Sequence, residues 1–170
     1  MVAERIEGDS LTLRRATAAD HDRILRVLQD SAVEQWWGHY DADRVAAEYS
    51  NEDTVVYFID IGGEVAGIIQ YSEETDPQYR HAGIDIALVE ASRRQGIGPR
   101  AIQALARYLF DKRGHHRLTI DPAAANRNAI RAYEKVGFQR VGIMRQYERG
   151  SDGTWRDGLL MDLLAEELPR

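Results

Sequence analysis

Arg93-Arg94-Gln95-Gly96-Ile97-Gly98 is the stretch from which the fold can be read outward. It follows an apolar run at residues 82–89. Beyond it, Ile97, Ala101, Leu105, Tyr108 and Leu109 recur on one face of a helix. The order is therefore strand, basic Gly-rich turn, helix. Such a turn aims several backbone N–H groups at one point, at the positive end of a helix dipole, and so suits an anion such as a pyrophosphate. Glycines let the ligand approach the backbone, and arginines add charge. No Gly-Lys-Ser/Thr follows, and the third glycine of a dinucleotide fingerprint is missing. Taken alone, the stretch also fits an ordinary strand-to-helix turn.

Outward from this turn, the elements alternate. Residues 10–15 read as a strand. Thr17-Ala18-Ala19-Asp20 opens a helix that continues through Ile24, Leu25 and Leu28. Residues 41–49 suggest a second short helix. The β-rich runs 54–61 and 64–71 flank Gly62-Gly63, a hairpin signal. A strand at 82–89, the long helix to about Lys112 and a short strand at 117–120 follow. A helix at 126–136 closes on Gly137, and strands at 138–147 and 154–164 surround Gly150-Ser151-Asp152-Gly153. These elements predict an α/β (α+β) protein, with residues 1–170 forming one domain around a single mixed sheet of about seven strands and about four helices.

The chain carries 28 acidic and 22 basic residues, a net charge of −6. That balance argues against a nucleic-acid partner and is compatible with a cationic one. Cysteine is absent, which excludes disulfides, thiolate metal sites and a cysteine nucleophile. No apolar run has the length of a membrane span, and the N-terminus lacks a signal-peptide core; the expectation is a soluble, cytoplasmic protein that binds no membrane. No metal site is expected. His115 and His116 are adjacent on a strand edge, His21, His39 and His81 are isolated, and all five read as surface or capping residues.

The second informative stretch runs from Asn126 through Asn128-Ala129 and Tyr133-Glu134-Lys135 to Gly137-Phe138. On a helix, Asn126, Ile130 and Tyr133 lie near one face. By itself it allows a plain N-cap and a core aromatic. Arg93-x-x-Gly96-x-Gly98 together with this stretch resembles the GNAT superfamily of acetyl-CoA-dependent N-acetyltransferases, and the resemblance extends over nearly the whole chain. It implies a sheet splayed between its fourth and fifth strands, with acetyl-CoA as co-substrate in the gap. It implies that pantetheine bonds to backbone at Ile86, Leu88 and Val89. The pyrophosphate would lie over Arg94, Gly96, Ile97 and Gly98, with Arg93, Arg100, Asn126 and Tyr133 also on the cofactor. Pro99 departs from the pattern, since it has no N–H to donate.

Val33-Glu34-Gln35-Trp36-Trp37-Gly38, Glu73-Glu74-Thr75-Asp76-Pro77, Gly83-Ile84-Asp85 and Ile120-Asp121-Pro122 narrow the resemblance to aminoglycoside 6′-N-acetyltransferases. That likeness implies a polycationic acceptor, met by Glu34, Glu73, Glu74, Asp76, Asp85, Asp121 and Asp157 and by the aromatic surfaces of Trp36 and Trp37. Other readings stay open for some of these: a turn at Asp76-Pro77, a strand cap at Asp121, a core edge at the tryptophans. Asp85 is hardest to dismiss, because a carboxylate in an apolar strand needs a partner or an opening to solvent. For direct acetyl transfer to a primary amine Asp85 is the candidate general base, directly or through water, and the resemblance implies Tyr133 as general acid. Met144 to Glu148 and Gly153 to Gly158 also resemble the last hairpin of ribosomal-protein N-acetyltransferases. Protein N-terminal or polyamine acetylation is therefore the alternative, and a non-catalytic acyl-CoA-binding module a second. A monomer or homodimer is expected.

Overall fold

In the computed structural model, which describes residues 1–51 and 53–169, eight strands form one sheet. They are β1 (Arg5–Gly8), β2 (Leu11–Arg15), β3 (Thr54–Ile61), β4 (Glu64–Glu74), β5 (His81–Leu88), β6 (Arg117–Ile120), β7 (Gln139–Arg149) and β8 (Trp155–Leu164). The helices are α1 (His21–Leu28), α2 (Ser31–Trp37), α3 (Ala42–Tyr49), α4 (Ile97–Asp111) and α5 (Arg127–Val136). The sheet order is β1-β2-β3-β4-β5-β6-β8-β7, antiparallel throughout except for the β5–β6 pair.

The sequence reading finds seven of the eight strands and four of the five helices. It misses β1, whose four residues carry one buried apolar side chain, Ile6, too little to show alternation. It also leaves α2 unassigned. That helix starts at Asp30, whose carboxylate accepts the Ala32 N–H at 3.0 Å, and stops at Gly38 with φ +80°.

Strand alternation divides the core between the two faces of the sheet. Ile84, with the half-buried Ile86 and Leu88, packs on the side of α4 and α5; Ala87 packs with α1 and α3 on the other. On α4, Ala101, Ile102, Leu105 and Leu109 are wholly inaccessible, which fixes this helix, and hence its N-terminus, against the sheet.

The feature that makes a site is the break between β5 and β6. Their pairing covers Ala82↔Leu118 and Gly83↔Thr119 and goes no further, while β5 continues to Leu88. On its other side β5 stays paired with β4 through Leu88, and the Val89 N–H reaches the Ala66 carbonyl at 3.1 Å. Antiparallel pairing alternates, so residues 85, 87 and 89 direct their backbone polar groups at β4. Ile86 and Leu88, beyond the last β5–β6 pair, must direct theirs into the gap. Unpaired strand groups in a splayed sheet are what an extended amide-bearing ligand can use.

Candidate active site

The gap opens into a cleft of about 870 Å³, within the range of small-ligand pockets. One end is built by the β5–α4 turn. Gly96 adopts φ +70° and Arg94 φ +62°, a tight left-handed turn that brings successive N–H groups to the head of α4. A Cβ on Gly96 would meet nothing within 4 Å, and no side chain caps the helix. Among the described residues no side chain accepts from those first N–H groups, which lie at the cleft. Arg94 on the turn and Arg131 and Lys135 on α5 also line the cleft and bring positive charge to it. The arrangement fits a pyrophosphate followed by an extended arm along Ile86 and Leu88.

Not every residue expected on the cofactor is free for it. The Arg93 guanidinium donates to the carbonyls of Leu88 (3.1 Å) and Ala32 (2.7 Å), fastening the turn to α2 while still lining the cleft. Arg100 points away, to the carbonyls of Asp9 and Gly96. Val89 is spent on β4, its N–H bonded to the Ala66 carbonyl. Asn126 is both things at once: its Oδ1 caps α5 by accepting the Ala129 N–H at 3.2 Å, and the residue lines the cleft.

The other end is negative. Asp85, Asp121 and Glu148 line it, and among the described residues none of the three is in an ion pair. Asp85 has only the Gln70 amide, at 3.4 Å, from the facing position on β4. Its carboxylate opens onto the cleft, yet protein crowds the wall around it. That crowding, then the charge of Asp121, pushes its pKa up from 3.8 to about 6, with the Gln70 bond opposing. Glu148 is also raised, by burial first and partly by Asp121, against the pull of Arg156. Tyr133 lines the cleft from α5, packed against Phe138, and burial followed by Asp85 and Asp121 holds its phenol protonated well above the ordinary range. Trp36, Trp37 and Tyr40 form an aromatic wall. Tyr40 is held there by its 2.9 Å bond to Glu48 and by Arg44 stacked 3.8 Å over its ring.

The remaining acidic residues read from the sequence lie elsewhere. Glu73 is committed to a largely buried cluster, with Arg113 and His115 each 2.7 Å from its carboxylate. This also corrects the reading of His115 as a surface or capping residue: it is 4% exposed, drawn inside by its hydrogen bond with Glu73. Glu74 lines a smaller polar groove of about 600 Å³ that shares Asp85, Asp121 and Tyr147 with the main cleft. Asp76 closes a turn by accepting the Gln78 N–H. Glu34 pairs with His39 outside the cleft, and Asp157 accepts the Gln146 N–H.

Residues 22–138 match the model of the Acetyltransferase (GNAT) family. The chain belongs to that family. It is an acetyl-CoA-dependent N-acetyltransferase. It is 33% identical over 158 residues to an aminoglycoside N(6′)-acetyltransferase type 1 of Klebsiella pneumoniae, an alignment spanning 81% of this chain and 78% of the relative. It is 26% identical over 155 residues to an N-alpha-acetyltransferase of Sulfurisphaera tokodaii, across 85% and 90% of the two chains. A solved aminoglycoside acetyltransferase in complex with coenzyme A and kanamycin superposes with a TM-score of 0.77 at 28% identity, covering 93% of this chain and 96% of that one.

Gln70, Tyr147, Glu148, Arg131 and Lys135 escaped the sequence reading. Arg131 and Lys135 left a trace there as cations four residues apart on the α5 motif helix, and Tyr147 and Glu148 as part of the last-hairpin motif.

Proposed function

We propose that this acetyltransferase acetylates a primary amine of a polycationic small molecule, best read as the 6′-amine of an aminoglycoside. The observation that carries the reading is the trio Asp85, Asp121 and Glu148, none in an ion pair among the described residues, two of them raised in pKa by burial and then by the charge of Asp121, with Arg156 opposing at Glu148. Like charges left facing each other are relieved by a ligand bearing several ammonium groups. The aromatic wall of Trp36, Trp37 and Tyr40 suits the apolar faces of sugar rings. The relatives that act on aminoglycosides favour the same substrate class.

The chemistry follows from the residues around the gap. Acetyl-CoA supplies an activated acyl carbon. Strand alternation places the Asp85 side chain on the α1–α3 face and turns the free backbone groups of β5 edgewise into the gap, so the amine and the thioester approach each other through the splay. An alkyl ammonium has a pKa of roughly 10 and must lose a proton before it can attack. Asp85, at about 6, is the base that accepts it, directly or through water. The Leu88 N–H donates to the carbonyl oxygen as charge develops there. Tyr133 supports departure of the thiolate. A thiol pKa near 8.5 lies below that of a buried phenol, so its main contribution is a donated hydrogen bond, with solvent completing the protonation.

The test is CoA-thiol release with kanamycin or tobramycin as acceptor, beside an N-terminal peptide amine. Turnover on the aminoglycosides supports the reading. Turnover on the peptide alone replaces it with the N-terminal acetyltransferase that the resemblance of the last hairpin suggests.

A further inference from the structure

The strand β7 is irregular where it crosses the cleft. Met144 faces Gly158 and Glu148 faces Arg156, so three residues, 145–147, oppose the single residue Asp157. The bulge is fastened twice. Gln146 takes φ +51°, unusual for a side-chain-bearing residue, and its N–H donates to the Asp157 carboxylate at 2.8 Å. The Tyr147 ring lies on Gly158, where a Cβ would stand 2.9 Å from Cδ1, so only glycine accommodates it there. In this position the Tyr147 hydroxyl donates to Asp121 at 2.7 Å, and the ring borders both the main cleft and the polar groove. Asp157 also anchors the other partner, its carbonyl accepting the Ala124 N–H at 2.9 Å in the loop that carries Asp121.

We infer that Tyr147 is a specificity-determining residue: its hydroxyl holds Asp121 until an acceptor brings a second ammonium group to displace it. Asp157, outside the cleft, is the positioning residue that sets this clasp. The inference rests on the polycation reading above. A monoamine places its only ammonium at Asp85 and leaves the clasp shut. A polycation reaches Asp121 as well, where a charge-assisted bond outcompetes that of a neutral phenol. Tyr147 is 51% exposed, so the ring has solvent to swing into. The groups facing the clasp are Asp85 and Glu148, both acidic, which deepens the advantage of a cation over a hydroxyl.

The experiment measures Kd for tobramycin and for glucosamine by calorimetry on the CoA-bound protein, in wild type, Tyr147→Phe, Asp157→Ala and the double variant. Freeing Asp121 removes the phenol as competitor, so the preference for tobramycin over glucosamine rises roughly three- to tenfold, the worth of one displaced hydrogen bond. Asp157→Ala, which removes the acceptor for the Gln146 N–H, moves the preference the same way and adds nothing to Tyr147→Phe, because both act on one clasp. An unchanged or reduced preference in Tyr147→Phe overturns the role of Tyr147 while leaving the polycation reading standing. Fully additive effects overturn the role of Asp157. A wild-type protein that binds tobramycin no more tightly than glucosamine removes the polycation reading and this inference with it.

Discussion

Replacing Asp85 by Asn tests the base directly, and its size can be worked from the cleft. At its ordinary pKa of 3.8 the carboxylate would lie about 6 units below an ammonium near 10, a proton transfer uphill by roughly 8 kcal/mol. Burial and then Asp121 bring Asp85 to about 6, which cuts that to roughly 5.5 kcal/mol. Asn keeps the shape and removes the base, so kcat/KM for the acceptor should fall by about 10²–10⁴, or roughly 3–5 kcal/mol. The CoA end of the cleft, built on α4 and α5, should keep its affinity. In wild type, kcat/KM should fall about tenfold per pH unit below about 6, as Asp85 protonates; in Asp85→Asn that acid limb should vanish. A loss under threefold, or an acid limb that survives the substitution, refutes the assignment.

Stability separates lost chemistry from lost fold. The folded state raises this pKa, so ionised Asp85 is a burden above pH 6 that is relieved as pH falls from 6 toward 4. Asp85→Asn should therefore raise Tm at pH 8 and leave it unchanged near pH 4. Because the carboxylate opens onto solvent, the gain stays below about 1 kcal/mol.

Tyr133→Phe should lower kcat roughly 10- to 100-fold with CoA binding retained, measured by steady-state kinetics and calorimetry. Glu73→Gln should destabilise by about 3 kcal/mol at pH 7, since it leaves Arg113 without its charge partner. The Arg113 hydrogen bond, above all, holds the Glu73 carboxyl below its usual range. The stabilisation it reflects is present above the unfolded value of 4.5 and lost as pH falls through the folded one, so the Tm difference from wild type should close in acid. Gly67→Ala should cost about 1–3 kcal/mol in urea unfolding, because its Cβ would collide with the Ala87 backbone carbonyl across the β4–β5 ladder.

The sheet, the α4 turn and the α5 motif were legible because each is local: alternation, a Gly-rich turn and 3.6-residue periodicity survive in a linear string. Asp85 was legible for the same reason, as one charge in an apolar strand. What the sequence could not carry is pairing across the fold. Glu73 looked as available as Glu74 until Arg113 and His115, some 40 residues on, closed around it. Arg93 and Arg100 both read from the sequence as cofactor residues, but carbonyls at Ala32 and Asp9 claim them. Tyr147 and Glu148 reach the cleft only through a bulge, whose register no alternation rule anticipates.

The most direct measurement offers the protein and acetyl-CoA a mixture of kanamycin, spermidine and an N-terminal peptide, and locates the acetyl group by mass spectrometry and NMR. The account predicts one acetyl on kanamycin, at the 6′-amine, ahead of the other acceptors. Acetyl appearing on the peptide while kanamycin stays unmodified would contradict it.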